Sequence, residues 1–225
     1  MERALPAVDY RQLRLSRLSD PAFSHLKLLL YWPVFGLAFL YVERLSPVTV
    51  YAPVSCRLDS LIPFCEVFLI PYLFWFVYLA GMHVYTLLYD VEAFRRFMGF
   101  IIVSYTAAMA VYFLFPTCQN LRPETFSRDN LFTRFLFYFY QFDTNTNVCP
   151  SIHVIGSAAV CCTAFSVPRF QSRGWKWAFG TTAVLICAST VFLKQHSVVD
   201  VLAAVPVCLA AWYISFRKEA FRGRP

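Results

Sequence analysis

Six charge-poor apolar runs, each near the length a helix needs to cross a bilayer, constrain this chain more than any other feature. They cover roughly residues 26–42, 61–88, 97–115, 152–167, 177–193 and 199–216. A spanning helix takes about 20 mostly apolar residues. The second run is long enough to tilt or bend, helped by Pro63 and Pro71, and the fourth is short enough to begin in a recess. Strands of alternating polarity are absent, which argues against an outer-membrane barrel. The expected fold is all-α: an integral membrane bundle of six transmembrane helices. Composition agrees. Only 15% of residues are charged and 59% are apolar, against roughly 25% and 45–50% in soluble domains. So little polar surface cannot cover a soluble globule, and the same figures exclude disordered and collagen-like chains.

The 20 Lys and Arg residues orient the bundle. With the N-terminus inside, Arg3, Arg11, Arg14, Arg17, Lys27, Arg95, Arg96, Arg169, Arg173, Lys176, Arg217, Lys218, Arg222 and Arg224 fall on the cytoplasmic side. Arg44, Arg57, Arg122, Arg128, Arg134 and Lys194 fall outside. The positive-inside rule therefore predicts six spans with both termini cytoplasmic. The chain divides into a basic arm (1–25), a membrane domain (26–216) and a basic tail (217–225). The arm has no signal-peptide core; it suits either an anionic leaflet or a solvated tail. The net charge of +7 thus points to a membrane surface and not to nucleic acid. In the third loop, the amphipathic stretch 131–142 is expected to lie in the outer interface, because Arg134 and its length weigh against a seventh span.

Four of the eight cysteines, Cys161, Cys162, Cys187 and Cys208, fall in spans, where packing is their expected role. Cys118 and Cys149 bracket the third loop, and a disulfide between them is one option in an oxidising compartment. No paired CxxC motif marks a zinc site.

Three polar clusters, distant in sequence, fall at the outer ends of the helices under this topology. They are Asn120-Leu-Arg122-Pro123, Cys149-Pro-Ser151-Ile-His153, and Lys194-Gln195-His196-Ser-Val-Val-Asp200. His196 and Asp200 are four apart, so a helical face lets the carboxylate fix one imidazole nitrogen and leave the other free for attack or proton transfer. Pro150 is expected to open the fourth helix, leaving the amides of Ser151, Ile152 and His153 free to bind an anion. Arg122 offers a bidentate phosphate grip and Lys194 a point charge. Two His, a carboxylate, two cations and a helix N-terminus suit phosphoryl chemistry without an obligatory metal. His25 and His83 are expected to pack, and Glu66 either faces the site or is paired structurally. Ser151 lacks a G-x-S-x-G context, and zinc on His153 and His196 lacks a third ligand.

At these residues the sequence resembles the phosphatidic-acid phosphatase type-2 superfamily of membrane lipid phosphatases and phosphotransferases. Its pattern is K-x6-R-P, P-S-G-H and S-R-x5-H-x3-D. Here Arg122-Pro123, Pro150-Ser151-Ile152-His153 and His196-Ser-Val-Val-Asp200 correspond. The resemblance implies that His196 is the nucleophile forming a phosphohistidine, Asp200 orients it, and His153 protonates the leaving alkoxide. Arg122 and Ser151 would hold the phosphoryl oxygens. Phe115 and Thr190 stand where the pattern has its Lys and Arg, and Ile152 replaces its Gly. Lys194 is the expected substitute cation, in a divergent branch closer to the phosphotransferase-like members.

The expected function is a metal-independent lipid phosphatase, without cofactor, hydrolysing a phosphomonoester or diphosphate lipid at the extracytoplasmic or lumenal face. Two alternatives stay open. One is a phosphotransferase moving a phospho-headgroup to an alcohol, like inositol-phosphorylceramide or sphingomyelin synthases. The other is a non-catalytic lipid-binding scaffold. A lipid phosphate and the bilayer are the expected partners, with self-association left open.

Overall fold

The computed structural model of the chain describes residues 6–217. Arg3, Lys218, Arg222 and Arg224, with the ends of the basic arm and tail, lie outside the described residues. Six long or apolar helices stand where the six apolar runs are. They are α1 (Ser24–Leu45), α3 (Glu66–Tyr89), α4 (Val91–Leu114), α6 (Ile152–Ser166), α7 (Arg173–Phe192) and α8 (Val198–Arg217). Two shorter helices, α2 (Arg57–Leu61) and α5 (Leu131–Phe142), lie in the connections. Helices α1, α3, α4 and α8 are long and apolar enough to cross a membrane; α6 is apolar but shorter. The second run starts later than expected: Leu61 ends α2, and α3 begins only at Glu66. The expected all-α fold also gains a minimal parallel sheet of β1 (Ala52–Pro53) and β2 (Thr117–Cys118).

Helix α6 is the centre of the bundle and packs against α3, α4, α7 and α8. Its small residues Gly156, Ser157 and Ala159 are buried or close-packed, and they let neighbouring helices approach as apolar bundles require. The closest approach is at Gly156, where an added Cβ would lie 2.7 Å from Tyr105 Oη and 2.9 Å from Trp75 Nε1. The outward faces are apolar, with Val77, Leu114, Val184, Leu202 and Leu209 all exposed. Helix α5 starts at a capping box of Asn130 and Thr133. It turns Leu136 inward to pack with Leu69, Tyr72 and Leu193, while Phe135, Phe137 and Tyr138 face outward. At the opposite end, Tyr10 Oη reaches His25 Nε2 at 2.8 Å and the Leu87 carbonyl at 2.6 Å. The described part of the basic arm is thereby docked on the helix ends and not frayed. His83 packs as expected, accepting from Trp32 Nε1 at 3.0 Å. Glu66 is paired structurally, with Asn130 at 3.0 Å and Arg128 at 3.5 Å.

The α2 segment bolts the α7–α8 turn in place. Buried Asp59 accepts from Ser197 Oγ at 2.7 Å, Val198 N at 2.8 Å and Cys56 N at 2.7 Å. Burial pushes the Asp59 carboxyl up, but these hydrogen bonds outweigh it and hold it below the usual aspartate range. All eight cysteines are free, so the disulfide considered between Cys118 and Cys149 is not formed. Cys118 sits instead in strand β2, bridged to Thr146.

Two stability outcomes follow from this packing. Gly156→Ala forces Tyr105 or Trp75 to move and should cost about 1–3 kcal/mol, read as a lower melting temperature of the detergent-solubilised protein. Asp59→Asn should cost about 1–3 kcal/mol at pH 7. A carboxyl held low in the fold stabilises above its unfolded pKa and loses that contribution as pH falls through the folded value. The gap between wild type and Asp59→Asn should therefore be full at neutral pH and start to narrow only below about pH 4; a gap that narrowed between about pH 8 and pH 6 would refute the assignment.

Candidate active site

Two chain segments, the start of α6 and the turn from α7 into α8, meet at one end of the bundle. Asp200, fully buried in the first turn of α8, is their common partner. Its Oδ2 accepts from His196 Nδ1 at 3.1 Å and from Ser197 N at 3.0 Å. Its backbone carbonyl accepts from Ser151 N at 3.2 Å, which locks the start of α6 to the start of α8. The His196 turn is set by Thr190, whose carbonyl receives the amides of Gln195 and His196 at 2.9 and 3.0 Å. Lys194 supports that turn from the left-handed region, with φ 56°, at the end of α7 where glycine is usual.

His153, in the first turn of α6, faces His196 with ring centroids 5.9 Å apart. Tyr72 and Trp75 of α3 flank the His153 ring at 4.3 and 4.5 Å. Both His153 nitrogens are buried without a partner, as are Ser151 Oγ and Asp200 Oδ1. With Nδ1 tied to Asp200, His196 presents Nε2 as its free nitrogen. The two imidazoles line one cavity of about 30 Å³, room for small polar species.

The expected site residues do not all converge. His196 and Asp200 come together as their spacing anticipates, and His153 joins them as the placing of the three clusters at one depth anticipates, with Ser151 at the N-cap of α6. Pro150 does not open the helix: Ser151 is the N-cap and its amide is spent on Asp200. Lys194 is a correction. Its ammonium donates to the carbonyls of Asp59 and Ile62 at 2.7 and 2.5 Å and does not line the cavity. The carbonyls at the end of α2 take up the ammonium, and burial lowers the lysine pKa while the Asp59 carboxylate opposes that shift. Arg122 also stands behind the cavity wall. Its guanidinium donates to the carbonyls of Tyr140, Asp143 and Thr144 at 3.0, 2.7 and 2.7 Å, donates to Gln195 Oε1, and stacks on Tyr140 at 4.4 Å. Only its Nε is left buried without a partner. Burial pushes the Arg122 pKa down while the Asp143 carboxylate opposes the shift.

Several site residues escaped the sequence reading. Glu43 at the end of α1, Tyr72, Asp143, Asn147 and Gln195 all line the cavity. Tyr72 Oη donates to Asp143 at 2.6 Å, and Tyr112 Oη to the Pro150 carbonyl at 2.6 Å. The signals were there in part: a carboxylate at the end of an apolar run, and the polar string Asp143–Asn147 just before the His153 block. Among the described residues, no three His, Cys, Asp or Glu side chains are grouped so as to hold a metal ion.

No curated protein and no solved structure matches this chain. The pattern of the PAP2 superfamily does match, over residues 96–224. That stretch carries Arg122, His153, His196 and Asp200, whereas α1 to α3, which contribute Glu43, Asp59 and Tyr72, precede it. With more than half of its length matched, and with two histidines lining one cavity and a carboxylate bonded to one of them, this chain belongs to the PAP2 superfamily, whose members are generally phosphatases or phosphotransferases of lipid-like substrates.

Proposed function

We propose that the chain is a metal-independent lipid phosphatase working through a phosphohistidine. The observation that carries this reading is the His153–His196 pair, on separate elements yet 5.9 Å apart across one cavity. His196 Nε2 attacks phosphorus while Asp200 holds Nδ1–H and stabilises the imidazolium that forms. His153 gives a proton to the departing lipid oxygen. Water then attacks the phosphohistidine and returns a proton to His153. Ser151 Oγ, buried without a partner next to the His153 block, is the side-chain donor this reading assigns to a phosphoryl oxygen, while Arg122, its fork taken by carbonyls and Gln195, supports the wall from behind.

All six long helices cross the bilayer in this reading, and α5 lies in the interface. The bias of Lys and Arg to the other end puts the His pair on the extracytoplasmic or lumenal side, with both termini cytoplasmic. One observation favours the phosphotransferase alternative. Beyond the histidines the cavity has a second polar wall of Glu43, Asp143, Thr144 and Asn147, more than a bare phosphate and a water need.

Lipid phosphates presented to the purified protein in detergent, scored by phosphate release and product mass, test the reaction. His196→Ala should lower turnover at least about 1,000-fold; unchanged lipid processing would mean a non-catalytic scaffold. EDTA should spare the activity, and loss of turnover on chelation would overturn the metal-free route. His153→Ala should slow substrates with poor leaving groups about 100-fold or more and good ones far less. Equal losses on both would remove the general-acid role.

A further inference from the structure

At the end of α7 remote from the histidines, Arg173, Lys176 and Trp177 line the mouth of an open groove of about 710 Å³. Lys176 is one turn and Arg173 two turns before Gly180, so the three share one face of the helix. Gly180 and Val184 also line a second, apolar groove of about 650 Å³ between α6, α7 and α8. The two grooves therefore adjoin along α7. No Asp or Glu lines either of them. Among the described residues neither Arg173 nor Lys176 is in a salt bridge, and Trp177 beside them is 75% exposed.

The dimensions are those of one leaflet. The apolar groove follows α7 from Gly180 to Val191, about 16 Å at 1.5 Å per residue, and half of a hydrocarbon core is about 15 Å deep. Arg173 and Lys176 stand beyond that depth, at the level of headgroups, which long basic side chains reach readily. Gly180 leaves the groove open where it begins: an added Cβ would meet only Phe165 Cζ, at 4.0 Å. The groove faces outward, with Val184 and Phe165 exposed on its rim. Within a bilayer such a groove is filled by hydrocarbon, so the charge at its mouth decides which lipid stays. Two cations without acidic neighbours favour a phosphate, which arginine grips with two hydrogen bonds. An indole at the same level adds an interfacial anchor.

We propose that α7 holds an anionic phospholipid, its phosphate at Arg173 and Lys176 and one acyl chain in the groove between α6, α7 and α8. This lipid sits in the leaflet opposite the histidine pair and is not the substrate. The site rests on α7 crossing the bilayer and is independent of the reaction proposed for the histidines.

The full chain in detergent is titrated with dioleoylphosphatidylglycerol and with dioleoylphosphatidylcholine, and the lipid-bound states are resolved by native mass spectrometry. The first phosphatidylglycerol should bind at least about tenfold more tightly than the first phosphatidylcholine. Arg173→Gln with Lys176→Gln should erase that difference, whereas Arg11→Gln with Arg14→Gln, on the exposed face of the arm, should leave it. Gly180→Leu fills the groove and should weaken both lipids. Equal affinity for the two lipids, a preference that survives Arg173→Gln with Lys176→Gln or is lost in the arm variant, or undiminished binding to Gly180→Leu would overturn the site. A dimer that Gly180→Leu dissociates would mark the groove as a contact between two copies of the chain and overturn it as well. Failure of α7 to cross the bilayer would show separately, as labelling of Cys187 in the groove by a membrane-impermeant maleimide in lipid vesicles, and would remove the path of the acyl chain.

Discussion

Asp200 is the residue on which the rest of the arrangement depends. Through its side chain it holds the His196 ring and the Ser197 amide, and through its carbonyl it holds the Ser151 amide that begins α6. A single buried carboxylate in the first turn of a helix is favoured by the helix dipole and by the amides around it. Here it also sets the distance between two histidines that lie 43 positions apart in the chain. Asp59 backs the same turn from the other side, through Ser197 and Val198. The nucleophile candidate is thus held by two buried acids, one on each side of its turn.

The bundle concentrates its polar groups at one end because the remainder is built to exclude them. Helix α6 meets its neighbours through small residues and the outward faces are apolar. Polar atoms that would be expensive in such surroundings gather at the helix ends, where loops and caps supply partners. Several remain without one, namely both nitrogens of His153, Ser151 Oγ and Asp200 Oδ1. Buried polar atoms are nearly always paired in folded proteins, so four such atoms on three residues, with His153 lining the cavity, mark a place where a ligand completes the hydrogen bonding.

The departures from the family pattern also acquire a physical meaning. Thr190, where the pattern has Arg, is buried and works through its carbonyl to shape the His196 turn. Phe115, where the pattern has Lys, is 68% exposed. Two cations are gone, and two carboxylates line the cavity.

By itself the sequence determined the helical class, the positions of the six long helices and of α5, and the His196–Asp200 contact. Each of these follows from apolar run length or from the i, i+4 geometry of one helix, and both are local properties. What only the tertiary structure decided is where the charges point. Lys194 and Asp143 sit among the same loops, yet the ammonium is captured by the carbonyls of the α2 segment and the carboxylate faces the cavity. Glu43 reaches the site from the first helix, about 100 residues before its partners Thr144 and Asn147. Those outcomes depend on which acceptor is nearest after the bundle packs, and spacing along a chain holds no information about that.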